Sequence, residues 1–199
     1  NNLTLLGNAD TSTTQQKFGT ASLALDGTGD YVTLPSTSFA PFGTGDFTVE
    51  CWVYFETVEY TGIWQADTTP LSGAAYIAPM LEVTPTGDGG AFVWSTLTKH
   101  GGDSRNSSSV TPSTSTWYHT AVVRTSGTIK VFVDGTQVVS DFTDTTDFTD
   151  RDSLVIGGFF STDYLLDGYI DEFRISHVAR YTSNFTAPTT EFPNKGQES

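Results

Sequence analysis

The chain has 199 residues, with 23 acidic and 9 basic side chains and a formal net charge of -14. This charge argues against nucleic acid and anionic membrane surfaces as partners, because both attract Lys and Arg. It is compatible with divalent cations, neutral glycans or basic surfaces, and also with solubility alone. Cys51 is the only cysteine, so no intrachain disulfide can form. No apolar run is long enough for a transmembrane helix.

Short predicted strands begin at the N-terminal end with Leu3–Leu6. Phe18–Leu25 and Asp30–Leu34 flank the glycine-rich turn Asp26–Gly29, which predicts a hairpin. Asp46–Phe55 shows the clearest alternation in the chain. One row is predicted to face the core: Phe47, Val49, Cys51, Val53 and Phe55. The other row is predicted to lie on a partly solvated face: Thr48, Glu50, Trp52 and Tyr54.

Further strands follow with turn signals every 8–12 residues, and no window has helical periodicity. The segment 99–116 is long, polar and rich in Gly and Ser, which predicts a loop. Another predicted loop, 141–152, is acidic and should be held in place by Phe142 and Phe148. The strands in this part of the chain are predicted at Gly62–Gln65, Tyr76–Val83, Ala91–Ser95, Trp117–Arg124, Ile129–Val133 and Ser153–Gly157. The pattern favours an all-β fold, a sandwich of two antiparallel sheets.

The last predicted strand runs over Leu165–Ile175 and contains an acid within an apolar row. Strict alternation places Tyr169, Asp171, Phe173 and Ile175 on the core face. A carboxylate in such a row costs several kcal/mol unless a partner compensates it. Backbone N–H groups, an arginine and a metal ion are the three candidate partners of Asp171.

Four stretches carry a family resemblance. They are Phe18–Val32, Gly45–Val53, Trp117–Arg124 with Val131–Gly135, and Leu166–Ile175. Their order and spacing resemble the laminin-G-like, concanavalin-A-like jelly-roll domains over about 3–192. The segment Val178–Pro188 resembles members found in bacteriophage tail and virion proteins and in bacterial surface proteins. The resemblance implies a jelly-roll β-sandwich that binds or attaches without catalysis, often with a calcium ion at one edge.

A calcium site is the hypothesis for Asp26, Gly29, Asp30 and Asp171. Calcium takes six to eight oxygen ligands, several of them from carbonyls of a glycine-rich turn. If the first turn and the last strand lie at the same end of the sandwich, Asp171 would complete the site. The alternative is that these acids cap turns or accept hydrogen bonds from backbone amides.

Aromatic side chains are the candidate ligand contacts, since they stack on the apolar faces of sugar rings. The candidates are Trp52, Tyr54, Tyr60, Trp64 and Tyr76, of which the last three fall in or beside the predicted loop 57–79. Trp52 and Tyr54 can equally be packing residues, and for Trp64 the core is the favoured alternative.

The expected function is a non-catalytic module that binds a glycan or receptor, in an extracellular setting on a virion or cell surface. The alternative is a structural decoration or assembly domain that binds other protein subunits. A glycoside hydrolase is disfavoured, because no predicted strand places two acids at alternate positions. We expect one laminin-G-like domain over 1–199, with a tail that frays from about residue 188.

Overall fold

In a computed structural model, the chain forms two antiparallel sheets packed face to face, as the sequence predicts. The structure describes residues 3–35, 40–68, 71, 78–84, 91–97, 105–151 and 153–193, and only the backbone of 78, 93–97 and 105–107. The strands are β1 (Thr4–Leu6), β2 (Asp10–Ser12), β3 (Ser22–Asp26), β4 (Tyr31–Leu34), β5 (Phe47–Phe55), β6 (Thr61–Asp67), β7 (Ala78–Val83), β8 (Phe92–Leu97), β9 (Arg105–Ser107), β10 (Trp117–Thr125), β11 (Thr128–Val133), β12 (Thr136–Gln137), β13 (Phe142–Thr143), β14 (Ser153–Ile156), β15 (Gly158–Phe159), β16 (Ser161–Leu165) and β17 (Asp167–Ser176).

The seven-stranded sheet has the order β1-β4-β14-β6-β7-β8-β9. The eight-stranded sheet has the order β12-β11-β10-β5-β17-β3-β2, with β13 paired to β11. β15 and β16 form a separate hairpin. Strand β9 lies within the segment 99–116 that was predicted to be a loop. Within the described part of the chain, no helix is long and apolar enough to span a membrane.

The core lies between the two sheets, and β5 supplies its central row. Five alternate side chains of β5 are fully buried, as the alternation predicts: Phe47, Val49, Cys51, Val53 and Phe55. The row opposite was expected to be partly solvated, and this is wrong. Trp52 is 5% exposed and Tyr54 7%, while Glu50 and Thr48 are covered almost completely. Chain segments outside the sheets therefore cover this outer face.

The predicted hairpin around Asp26–Gly29 is also wrong. β3 pairs with β2 and β17 in the eight-stranded sheet, whereas β4 pairs with β1 and β14 in the seven-stranded sheet. The glycine-rich turn thus carries the chain from one sheet to the other. The hairpin of β10 and β11 is confirmed, with six facing residue pairs from Thr120–Val133 to Thr125–Thr128.

A β-bulge in β17 explains why strict alternation assigned its faces incorrectly. Asp171 faces Trp52 and Arg174 faces Glu50, so two residues of β17 stand opposite Cys51. One of these two is Glu172, whose φ is +53°. Before the bulge, Ile170 points into the core, while Asp171 lies on the outer face. After the bulge, Phe173 and Ile175 pack against the core, as predicted.

The acidic loop between β13 and β14 is held by one buried arginine and one buried phenylalanine. Phe148 is fully buried, and Phe142 packs at the margin of the core, as predicted. The buried guanidinium of Arg124 lies 5.2 Å from the centre of the Phe148 ring. It donates hydrogen bonds of 2.6–2.9 Å to the carbonyl oxygens of Gly43, Gly45 and Thr146. Arg124 therefore joins two loops to the end of β10.

Candidate functional site

The outer face of the eight-stranded sheet is partly covered by the C-terminal segment 177–193. Tyr181 and Phe185 pack on Phe132 and on the small outward residues of β10. The Phe185 amide donates to the Gly135 carbonyl oxygen, and the Phe192 amide donates to the Glu172 carboxylate. The segment stays in contact with the sheet as far as Phe192, beyond the point at which fraying was expected. What it leaves uncovered is the part of the face near the start of β10.

An aromatic row crosses three neighbouring strands in that uncovered part. Trp117 of β10 faces Tyr54 of β5, and Tyr54 faces Tyr169 of β17. The ring centres are 5.4 Å apart in the first pair and 5.8 Å in the second. Burial raises the pKa of Tyr169 above its ordinary value, with Glu56 adding to the effect, so its phenol remains an O–H donor at neutral pH. Trp117 and Tyr169 are half-buried, so they keep surface for a ligand.

A pocket of about 580 Å³ opens beside this row. Trp52 and Trp117 belong to its floor, because both lie on central strands of the sheet. Its walls come from three separate connections: Lys17 and Phe18 before β3, Asp134 in the turn after β11, and the segment Thr186–Thr189. The pocket thus combines aromatic rings with one cation, one carboxylate and the hydroxyls of Thr186 and Thr189.

Asp171 holds one wall of the pocket in place. Its Oδ2 accepts hydrogen bonds from the backbone amides of Lys17 and Phe18, at 2.9 and 3.0 Å. These bonds fix the loop so that Phe18 meets Trp52 edge to face, with ring centres 5.9 Å apart. The Lys17 Nζ lies 3.7 Å from the centre of a Trp52 ring, in cation–π contact. Of the three partners considered for Asp171, the structure shows backbone N–H groups.

Asp134 fixes the opposite wall. Its Oδ1 accepts the His119 amide at 2.8 Å, and its own amide donates to the His119 carbonyl oxygen at 2.8 Å. Its backbone has φ +49°. Asp134 is exposed, so its carboxylate can still accept a hydrogen bond from a ligand.

A buried ionic cluster supports the sheet behind the pocket. Glu50 Oε1 accepts hydrogen bonds from Arg174, and Oε2 accepts the Tyr181 hydroxyl at 2.8 Å. His119 Nε2 lies 3.3 Å from Oε2. Burial alone would raise the pKa of Glu50, but His119, Arg174 and Tyr181 together lower it below its ordinary value. Glu50 is therefore an ionised structural acid and is not free for catalysis.

Comparison with protein families matches residues 26–183 to the model described as the concanavalin A-like lectin/glucanases superfamily. The chain belongs to the concanavalin A-like lectin/glucanase superfamily. This confirms the family resemblance and the jelly-roll fold. Comparison with curated protein sequences gives no match.

Three solved structures illustrate the likeness of this superfamily domain to known folds. Domain 4 of AbnA, an extracellular GH43 arabinanase of Geobacillus stearothermophilus in complex with arabinotriose, is 20% identical with TM-score 0.65, over 87% of this chain and 77% of that chain. A heptameric SAP-like pentraxin of Limulus polyphemus is 13% identical with TM-score 0.54, over 76% and 71%. The sialidase of Trypanosoma rangeli is 13% identical with TM-score 0.62, over 87% of this chain but only 27% of that chain. At these identities the likeness shows the fold alone.

The residues predicted to share a calcium ion do not come together. The β17 residue that faces Asp26 is Asp167, and Asp171 lies four residues further along, about 13 Å away at the usual strand rise. Asp26 accepts the Thr28 amide and the Asn8 side-chain amide, and these bonds lower its pKa.

Asp30 accepts the amides of Asn8 and Asp26, while Gly29 supplies a turn with φ +80°. This arrangement matches the alternative of acids that hold turns. Among the described residues, no three His, Cys, Asp or Glu side chains are grouped closely enough to hold a metal ion.

The five residues predicted to contact a ligand also lie in different parts of the structure. Trp52 lines the pocket, and Tyr54 lies in the aromatic row beneath Trp117. Trp64 is fully buried against Phe42, so its assignment as a ligand contact is wrong and the core alternative holds. Tyr60 is half-buried and lines a different, acidic cleft at the end of the sandwich. Tyr76 lies outside the described residues.

Sequence reasoning missed most of the pocket. Trp117 was assigned to a strand, and its place opposite Tyr54 could have been inferred only with the register of β5 and β10 in hand. Lys17 and Phe18 carry no local signal, because the acid that positions them is more than 150 residues away in sequence. Thr186–Thr189 lies in a segment that was expected to fray in part.

Proposed function

We propose that this domain is a non-catalytic carbohydrate-binding module whose site is the pocket together with the aromatic row of Trp117, Tyr54 and Tyr169. The observation that carries the proposal is a half-buried tryptophan at the open end of an aromatic row, beside polar groups held by backbone hydrogen bonds. Sugar rings offer an apolar face for such a ring and hydroxyl groups for the surrounding polar atoms. The complex of AbnA domain 4 with arabinotriose adds support from the same fold.

The absence of catalysis in this proposal is supported by the state of two acids, Glu50 and Asp26. A glycosidase needs two carboxyl groups about 5–10 Å apart, one of them a general acid with a raised pKa. Glu50 has a lowered pKa and is held by Arg174 and Tyr181. Asp26, at the acidic cleft, also has a lowered pKa. Neither acid is placed to donate a proton to a leaving group.

The setting that we propose is extracellular, on a virion or a bacterial cell surface. It is supported by the resemblance of Val178–Pro188 to members found in phage and bacterial surface proteins. A single shallow site implies weak affinity, on the order of 0.1–1 mM, recovered by several copies on one particle. Glycan or receptor binding by a repeated array is the mode of action that fits these features.

The proposal can be tested on a glycan array with a multimerised form of the domain. Trp117→Ala should abolish binding while lowering stability by only about 1 kcal/mol, since its ring is half-buried and pairs across one strand. Tyr60→Ala is the matched control, because it removes a half-buried aromatic ring from the acidic cleft instead. Unchanged binding by the Trp117 variant would refute the pocket as the site. Loss with Tyr60→Ala alone would move the site to the cleft.

One observation favours the second candidate function, an assembly domain that binds other subunits. Strand β1 lies at an edge of the seven-stranded sheet, with Leu3 51% and Leu5 45% exposed on one face. Exposed apolar edge strands pair readily with other chains. If no glycan binds, sedimentation should show that the wild type self-associates. The Leu5→Lys variant should then sediment as a monomer.

A further inference from the structure

The residues that line the pocket include two nitrogen donors with no acceptor among the described residues. The Nε1–H of Trp52 is buried and has no hydrogen-bond partner among the described residues. The Nζ of Lys17 has no carboxylate within 4 Å in the part of the chain that the structure describes. It contacts the rings of Phe18 and Trp52. Both residues line the same pocket. A buried N–H donor without an acceptor is unusual, and the half-buried Lys17 beside it keeps its ammonium open to a ligand.

Asp134, the acid that lines the pocket among the described residues, does not satisfy these donors. Asp134 is directed to the backbone of His119 through its Oδ1 and is separated from Lys17 by more than the length of an ion pair. The ammonium is also held away from bulk water on one side by the Trp52 ring. The ammonium is therefore the cation of the pocket, and a ligand with a negative group would gain a charge-assisted hydrogen bond there.

We propose that the pocket selects a saccharide that carries a carboxylate, namely a uronic acid residue, with Lys17 as the specificity-determining residue. This inference rests on the proposed carbohydrate-binding function. The sugar ring stacks on Trp117, and the carboxylate accepts a charge-assisted hydrogen bond from the Lys17 ammonium. The net charge of -14 opposes anions at long range, but salt at physiological strength screens this repulsion beyond about 8 Å. The contact with Lys17 acts well inside that distance.

The experiment compares hexamers of galacturonate, mannuronate and glucuronate, each with its carboxyl-reduced counterpart, in which a hydroxymethyl group replaces the carboxylate. Calorimetry or NMR titration of the whole domain gives the affinities. At least one uronate hexamer should bind about tenfold or more tightly than its reduced counterpart, since hydrogen bonds to charged groups are the stronger kind. Lys17→Gln should remove this preference, so that the uronate hexamer and its reduced counterpart bind with equal affinity. Lys17→Arg should retain it.

Lys130→Gln is the matched control, because it removes the same charge from β11, where Lys130 pairs with Asp141 outside the pocket. It should leave the uronate preference intact. Equal binding of every uronate and its reduced counterpart, or a preference that survives Lys17→Gln, would overturn the inference and leave the carbohydrate-binding proposal standing. If neither member of any pair binds, and no neutral glycan on the array binds, the proposed function itself fails and the inference falls with it.

Discussion

Replacement of Glu82 by glutamine should make the domain more stable at alkaline pH and leave it almost unchanged at pH 5. Glu82 lies on β7 with no exposed surface, opposite Gly62 of β6. The backbone of Gly158 and Phe159 packs against Gly62 so closely that a Cβ there would lie 2.5 Å from the Gly158 carbonyl carbon. The carboxyl group is thus enclosed between a sheet and a hairpin. Burial raises its pKa from 4.5 to about 8.

The direction of the pH dependence follows from proton binding. Between pH 4.5 and about 8 the folded state keeps the proton of Glu82, whereas the unfolded state releases it. The unfolded state therefore binds fewer protons, and the free energy of unfolding falls as the pH rises through this window. At about 1.4 kcal/mol per pH unit, the gap between 4.5 and about 8 corresponds to ~5 kcal/mol in full. Such a change is a large part of the stability of an ordinary domain.

Urea unfolding followed by tryptophan fluorescence at pH 5, 6, 7, 8 and 9 measures the effect. The difference between Glu82→Gln and wild type should grow with pH up to about 8 and then level off, with equal m-values throughout. Glu59→Gln is the matched control, because Glu59 is exposed. A difference that stays constant from pH 5 to pH 9 would show that Glu82 is ionised in the folded state and would refute the reasoning.

Four further outcomes are expected. Gly168→Ala should prevent folding, because its Cβ would lie 2.0 Å from the Tyr54 carbonyl oxygen; a soluble, cooperatively melting variant would contradict this. Asp171→Asn should cost about 1–3 kcal/mol through its backbone hydrogen bonds, equally with and without EDTA; a loss that EDTA reproduces in wild type would restore the calcium hypothesis, which stays a prediction. Arg124→Lys should cost about 2–4 kcal/mol in urea unfolding, because an ammonium cannot reach three carbonyl oxygens as the guanidinium fork does; a cost below 1 kcal/mol would show that the fork is dispensable. Incubation with β-glucans, chitin oligomers and alginate should release no reducing ends, and turnover lost with one acid would overturn the non-catalytic proposal.

The fold was predictable because its signal is local and repeated. The alternation of β5 shows a buried row of five side chains that needs no knowledge of the partner sheet. Turn residues between the strands then favour a sandwich over other all-β folds. Which sheet each strand joins was harder to predict. The turn after β3 has the glycine-rich sequence typical of a hairpin, yet the strand that follows it belongs to the other sheet.

The candidate site was predictable only in part, because its residues are brought together by contacts distant in sequence. Trp52 and Tyr54 could be nominated from their row on β5. The solvent exposure of such a residue depends on the C-terminal segment that packs on the sheet. The path of this segment cannot be predicted from the residues near Trp52 and Tyr54. The same reason explains the error at Trp64, where aromatic character alone does not distinguish a stacking surface from core packing.

The bulge in β17 lets one strand hold two distant parts of the chain on the same side. Asp171 and Arg174 are three positions apart, so a regular strand would send their side chains to opposite faces. The extra residue shifts the phase by one, and both then point outward, the first to the loop of Lys17 and the second to Glu50. Deletion of Glu172 would restore a regular strand with both outward side chains unchanged in direction. Such a domain would keep its pocket loop and its ionic cluster. It would lose the Glu172 carboxylate, which accepts a hydrogen bond from the Phe192 amide. The single inserted residue therefore anchors the end of the C-terminal segment to the sheet.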